Sequence, residues 1–566
     1  MSWSKRKKQN ISQLTLLILS IVLITYISTF FFYRIDLTSE KRYTLSPLTR
    51  KLLRNLDDIV YIKIYLDGKL NVPFKKMQKS IMEILDEFKV LAKDNLEYEL
   101  INPFDNANPR IRNDVINELY NKGLNPENII SKDKEGGTYE QLVFPGVLIT
   151  YKDIELPVNL LKNNPGLNDE ESINNSIQNL EYAFISEIRN ITNRVIEKIA
   201  FIEGHGELNE FNVGDITKEL ANYFQVDRGK IGGNPGILDK YKAIIIAKPT
   251  KRFSEQDKFV IDQYIMNGGK VMWIIDAVEV SLDSLVNGTT VAMANNLNIE
   301  DLLFRYGVRL NPKLIQDIQC NILLVNVALI GNNPKFIPAP WLYFPLISCP
   351  ATHPITKSIN MIKTEFINPI DTIAARKSIK KIVLLKSSEN SNLIEAPAMI
   401  KLEDIGKDVN KEDFNNSYQP VAVLLEGQFE SAFKNRILTE YYPDNMPDFK
   451  ESSIENKMIV ISDGDIIRND TKRTAKGTLI LPLGFDRNTK QTFGNKNFIL
   501  NAIHYLTDNT GLINIRSKEI KLRLLDRAKI IDDRTKWILI NTMIPIIIII
   551  LFGIIYNYIR KLKFTS

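Results

Sequence analysis

The chain has 566 residues, of which 44% are hydrophobic and 25% charged, enough apolar mass for two to four globular domains and too much for a disordered protein. Its 73 Lys and Arg nearly balance 67 Asp and Glu for a net charge of +6, and the only dense basic clusters sit near its two ends, so nucleic acid is not implied as a partner. Two cysteines, Cys320 and Cys349, make a weak case for a disulfide, and buried reduced thiols fit equally well.

Taken in order, residues 1–13 form a basic tail with Lys5, Arg6, Lys7 and Lys8, and Leu14 to Tyr33 form an uncharged stretch as long as a bilayer-crossing helix. A cleavable signal peptide shares the basic start, but this core is longer than a signal core and ends in aromatic residues and Arg34 rather than small residues. A second apolar stretch, Trp537 to Ile559, precedes the basic tail 560–566. Basic residues outside both spans predict that the two termini are cytoplasmic and that everything between the spans lies across the membrane.

Residues 34–170 read as an α/β domain. Ser46 and Pro47 suit the N-cap and first position of a helix carrying Leu48, Leu52, Leu53 and Leu56. A strand from Ile59 to Leu66, an amphipathic helix with Phe74, Met77, Ile81, Leu85 and Phe88, and a strand from Leu96 to Ile101 predict a parallel pair with a right-handed crossover. Gln141 to Tyr151 reads as a hairpin bent at Pro145 and Gly146. This order resembles a thioredoxin-like domain without the redox cysteine pair, so thiol chemistry is excluded. A helical connector, 171–194, leads into a doubly wound α/β domain with insertions, 195–510. Its apolar strands Val195–Ile202, Ala243–Ala247, Lys270–Ile275 and Met458–Ile461 alternate with helices, the pattern of a parallel sheet covered on both faces. Between about 320 and 450 the pattern blurs, with strand-like pieces such as Ile382–Leu385 and Val421–Leu425 alternating with Asn- and Lys-rich loops. Residues 511–536 read as a stalk into the second span.

The densest polar group is Glu203-Gly204-His205-Gly206-Glu207, at the end of a strand where open α/β sheets bind ligands. Glu203, His205 and Glu207, with Asp276 after another strand, are the candidate ligand-binding residues. Asp463 and Asp465 also follow a strand and, with Asp276 and Glu203, offer a second way to converge on Mg²⁺ or a polar ligand, although helix capping is the commoner role of such residues. His353 and His504 complete no zinc set, no P-loop or nucleophile elbow occurs, and no metal, cofactor or catalytic residue is expected.

Several stretches together resemble the GldG family, the gliding-motility-associated ABC transporter component of Bacteroidetes. They are Arg42-Tyr43-Thr44-Leu45-Ser46, Phe144-Pro145-Gly146, Glu203 to Glu207, Lys248-Pro249 followed by Phe253-Ser254-Glu255, and Asp262 to Lys270. The resemblance implies an inner-membrane auxiliary subunit, with the bulk of the chain periplasmic, working with a multi-span permease, a cytoplasmic ATPase and envelope motility or secretion proteins. It also implies a central domain related to one shared with intraflagellar transport proteins and similar to the glutamine-amidotransferase fold, here without the amidotransferase cysteine. A membrane-tethered hydrolase using Glu203, His205 and Glu207 is the alternative.

Overall fold

The computed structural model describes residues 2–30, 44–105, 108–132, 138–161, 169–192, 196–285, 288–326, 335–373, 378–406, 409–437, 448–474, 477–508, 510–517 and 533–564. The chain divides into two compact units, residues 1–44 with 519–566, and residues 45–518. In the first unit are helices Ser2–Phe30 and Arg534–Phe564. Arg534–Leu562 is long and apolar enough to cross a membrane, with a mean hydropathy of 2.8. In the other helix the apolar stretch among the described residues is Ile11–Leu23, shorter than a span. The expected first span runs on to Tyr33, beyond the described residues, and so does most of the expected stalk.

In the second unit, Ser46 accepts a hydrogen bond from the Thr49 amide and starts helix Pro47–Arg54, as its side chain predicts. Strands β1 (Val60–Ile64) and β2 (Leu96–Leu100) pair in parallel across helix Val72–Ala92, whose Phe74, Met77, Ile81, Leu85 and Phe88 are buried. Strands β3 (Gly146–Tyr151) and β4 (Ile154–Asn159) complete the sheet in the order β2-β1-β3-β4, β3 running antiparallel to both its neighbours. The predicted hairpin at Pro145 is therefore two hairpins. Thr138–Val143 pairs back with Glu127–Lys132, while Gly146–Tyr151 pairs forward with β4. The reason is local: Pro145 has no N–H for a ladder, and Gly146 packs so closely that a Cβ would stand 2.9 Å from the Val158 carbonyl and 2.8 Å from Leu124. The segment read as a connector is a packing layer. Helices Asp169–Gln178 and Leu180–Thr192 break at Asn179, and Phe184, Ile185 and Ile188 enter the first sheet's core, Phe184 edge-on to Phe88 at 6.2 Å.

The second sheet has seven strands: β5 (Lys198–Glu203), β6 (Gln225–Lys230), β7 (Ala243–Ala247), β8 (Lys270–Ile274), β9 (Ile379–Lys386), β10 (Pro420–Glu430) and β11 (Ser452–Ile461), in the order β9-β10-β11-β8-β7-β5-β6. Five neighbours, β6, β5, β7, β8 and β11, are parallel; β10 is antiparallel to both β11 and β9, so the sheet is mixed at one edge. Successive residues face opposite layers. Ile199, Phe201, Ile245, Ile274 and Ile461 pack with helices Gly214–Leu220 and Asn495–Thr507, whereas Ala200, Ile244, Trp273 and Val460 pack with Glu255–Met266 and Glu300–Tyr306. The indistinct stretch supplies edge strand β9, its antiparallel neighbour β10 and an excursion with its own core around Leu314, Trp341, Phe344 and Ile400.

Candidate functional site

Strand β5 ends at Glu203, and the chain turns through Gly204 and Gly206, both at positive φ. The turn lays the buried His205 imidazole flat on Phe253, with ring centroids 3.7 Å apart and planes 12° apart. Both ring nitrogens are engaged, Nδ1 with Glu207 Oε1 at 3.0 Å and Nε2 with Asp257 Oδ2 at 3.0 Å. Glu207 Oε2 also accepts from the His205 amide at 2.7 Å, and the His205 carbonyl accepts from the Thr250 and Lys251 amides at 2.8 Å. Asp257 is placed by its helix: Ser254 caps the start, accepting from the Asp257 amide at 3.0 Å, and the free Asp257 oxygen accepts from the Gly233 amide at 2.7 Å. Burial opposes charge on His205, but hydrogen bonds to Asp257 and then Glu207 outweigh it and lift the imidazole to about 9. The same bond holds Asp257 below the usual carboxylate range.

Asp276 belongs to a second cluster. Lys248, directly after β7 in the left-handed region at φ 54°, reaches Asp276 Oδ2 at 3.2 Å and also bonds Asp465. Asp463 caps the short turn Gly464–Ile467, accepting from the Asp465 amide at 2.8 Å, and Asp276 accepts from the Gly464 amide. Arg468 joins Asp465 at 2.9 Å and Glu365 at 2.8 Å, and Lys363 meets Glu365 at 3.2 Å. Burial, and then neighbouring Asp465 and Asp276, push Asp463 well above its ordinary range; burial also raises Asp276, against the pull of Lys248.

The acidic residues Asp276, Asp463 and Asp465 thus come together around Lys248, with Arg468 on Asp465, and no group of His, Cys, Asp and Glu among the described residues is arranged for a metal ion. Glu203 joins neither cluster. It pairs across the sheet with Arg228 at 2.8 Å, and Arg228 also donates to the Leu208 carbonyl. His205 and Glu207 are brought together, while Asp276 is reached only through the loop 248–253, whose Lys248 enters one cluster and whose Thr250 and Lys251 amides bind the other. As site residues, sequence reading missed Lys248, Phe253, Asp257 and Arg468, although Lys248 and Phe253 lie in the stretches that carry the family resemblance. Asp257 was findable, because Ser254 with an acid three residues on is a helix-start signature. Asp262, in the last of the stretches that carry the family resemblance, is fully buried and accepts from Tyr306, Ser431 and the Ala432 amide at 2.6–2.8 Å.

Chemically, these are ties. Each candidate acid or base already has a partner, so proton transfer to a ligand would first break a buried charge-assisted bond. Both cysteines are free thiols, and burial pushes Cys320 up to about 11 and Cys349 up to about 12, which leaves little thiolate. A roomier cleft, about 680 Å³, lies near the opposite ends of the strands around Tyr241, Lys242, Tyr264 and Lys270. There burial, then Lys242 and Lys457, lower the Lys270 ammonium to about 8.

Residues 39–150 match a domain of unknown function, DUF7088. The chain is similar to an uncharacterized protein of Borreliella burgdorferi, 20% identical over 574 residues and covering 99% of both chains. Among solved structures, one described as the mmIFT52 N-terminal domain matches 56% of this chain and 99% of its own, at 11% identity and a TM-score of 0.31. Residues 197–502, more than half of the sequence and all seven strands of the second sheet, match the family model described as ABC-type uncharacterized transport system, and the chain belongs to that family of auxiliary transporter proteins.

Proposed function

We propose that this chain is a non-enzymatic auxiliary subunit of an ABC transport complex, anchored by two spans in a bacterial inner membrane, with both termini cytoplasmic and its α/β domains periplasmic. Its partners are a multi-span permease and a cytoplasmic ATPase; the role in gliding motility and protein secretion rests on the motif resemblance to the GldG family. The family match over 197–502 carries this reading. It gains support from the candidate residues: His205, Glu207 and Asp276 tie loops of the sheet rim to one another, which suits a rigid surface for partner proteins better than a reactive cleft. Capture of a small ligand by Glu203, His205, Glu207 and Asp276 remains a variant of the proposal. The tethered hydrolase is less favoured, because Glu203 points to Arg228 and both His205 nitrogens are held.

The test is gentle detergent extraction of the tagged chain from its native membrane and identification of what accompanies it. Recovery of a multi-span permease and a P-loop ATPase in fixed proportion is expected. A solitary chain, under conditions that keep other transport complexes whole, refutes the proposal.

A further inference from the structure

Strands Cys320–Asn326 and Phe336–Ile347 form an antiparallel ribbon in which Ile322 stands opposite Pro340, Leu324 opposite Pro338 and Asn326 opposite Phe336. Opposed residues share a face. Leu323, Ala339 and Trp341 therefore turn inward to the core of the excursion, while Ile322, Leu324, Phe336, Pro338 and Pro340 turn outward. A ribbon with one solvated face ordinarily alternates apolar-in with polar-out. This one is apolar on both apart from the outward position of Asn326: Leu324 is 46% exposed and Phe336 59%, and both prolines are exposed.

The sequence from Cys320 to Ile347 contains no Asp or Glu and one cation, Lys335, in a chain that is 25% charged. We infer that the outer face of this ribbon seats on the surface of a lipid bilayer.

Three observations favour lipid over protein. A protein interface carries about one hydrogen bond per 100–200 Å² and a polar rim, whereas five of the six outward positions carry side chains that can neither donate nor accept one, the exception being Asn326 at the end of the strand. Proline is held in sheets where its missing N–H faces away from the ladder, so Pro338 and Pro340 leave the ribbon's free edge poor in donors and unsuited to an added strand. A bilayer asks only for apolar surface, tolerates a lone lysine beside anionic headgroups and disfavours carboxylates. The same chain carries Arg534–Leu562, so a bilayer accompanies it. The inference rests on that membrane helix and is independent of any transporter partner.

The full-length chain with Cys320→Ser, Cys349→Ser and Phe336→Cys, labelled with an environment-sensitive fluorophore, is reconstituted into vesicles of phosphatidylethanolamine and phosphatidylglycerol. The same label at Val72→Cys, a site 82% exposed beside the first sheet, is the reference. The label at 336 should emit to the blue, be quenched by lipids carrying a shallow spin label and resist aqueous iodide, with the opposite pattern at 72. A label at Leu324→Cys, on the same face, should repeat the result at 336, and unchanged emission from buried Trp273 and Trp341 reports an intact fold. Equal iodide quenching at 336 and 72 overturns the inference. Shielding from both quenchers also overturns it, since that marks burial against protein. These vesicles hold no permease or ATPase, so the outcome is separate from that of the co-purification.

Discussion

Asp257→Asn should weaken the fold and erase much of its pH dependence on the alkaline side. His205 has its pKa raised from 6.5 to about 9 by the two carboxylates, so its contribution is fully present below pH 6.5 and is lost as pH rises through about 9. At roughly 1.4 kcal/mol per unit the whole shift is worth about 3 kcal/mol, and solvent screening near the surface reduces this to roughly 2. Removing one carboxylate while keeping the side-chain shape should cost about half of that at neutral pH. The assay is thermal unfolding of the detergent-solubilised chain across this range, followed by the fluorescence of Trp273 on β8, which is fully buried. A double-mutant cycle with His205→Gln isolates the pair from other groups, including Lys270, which titrates in an overlapping range. The reasoning is refuted if the difference between wild type and Asp257→Asn is flat between pH 6.5 and 9, or if Asp257→Asn costs the same with glutamine at 205.

Lys248→Met removes the cation between Asp276 and Asp465 and should cost about 3–5 kcal/mol in denaturant unfolding, recovering in part on acidification as the stranded carboxylates protonate. Gly206→Ala imposes a side chain at φ +75° with its Cβ 2.1 Å from Thr250 Oγ1, and should cost about 2–3 kcal/mol by the same measure. Gly477→Ala, at φ +122° in open space, should cost less. Lys270→Met should raise stability at neutral pH by roughly 1 kcal/mol after allowance for screening, because the ammonium is disfavoured in the fold. That gain should fade as pH climbs from about 8 towards 10.5, where the unfolded chain also loses the proton.

Local signals in the sequence were sufficient for the cap at Ser46, the buried stripe from Phe74 to Phe88, the strand Ala243–Ala247 and the apolar helix near the C-terminal end. Each depends on periodicity, propensity or a hydrogen bond spanning a few residues, which a linear pattern records. The pieces Ile382–Leu385 and Val421–Leu425 read as strand-like, but their place as β9 and β10 was not legible, because the antiparallel pairing that adds them to the parallel sheet joins segments far apart in the chain. The hairpin at Pro145 was misread because two β-forming stretches either side of a bend look alike whether they pair with each other or with different partners.

The site divides in the same way. That Glu203, His205, Glu207 and Asp276 follow strands was legible, because strand ends can be read from hydrophobicity. Which charge met which was decided only in three dimensions. His205 met Asp257 across 52 residues and Asp276 met Lys248 from the next strand, while Glu203 turned to Arg228. Coulomb attraction and hydrogen bonding act through space within a few ångströms, and only the packed sheet sets those distances.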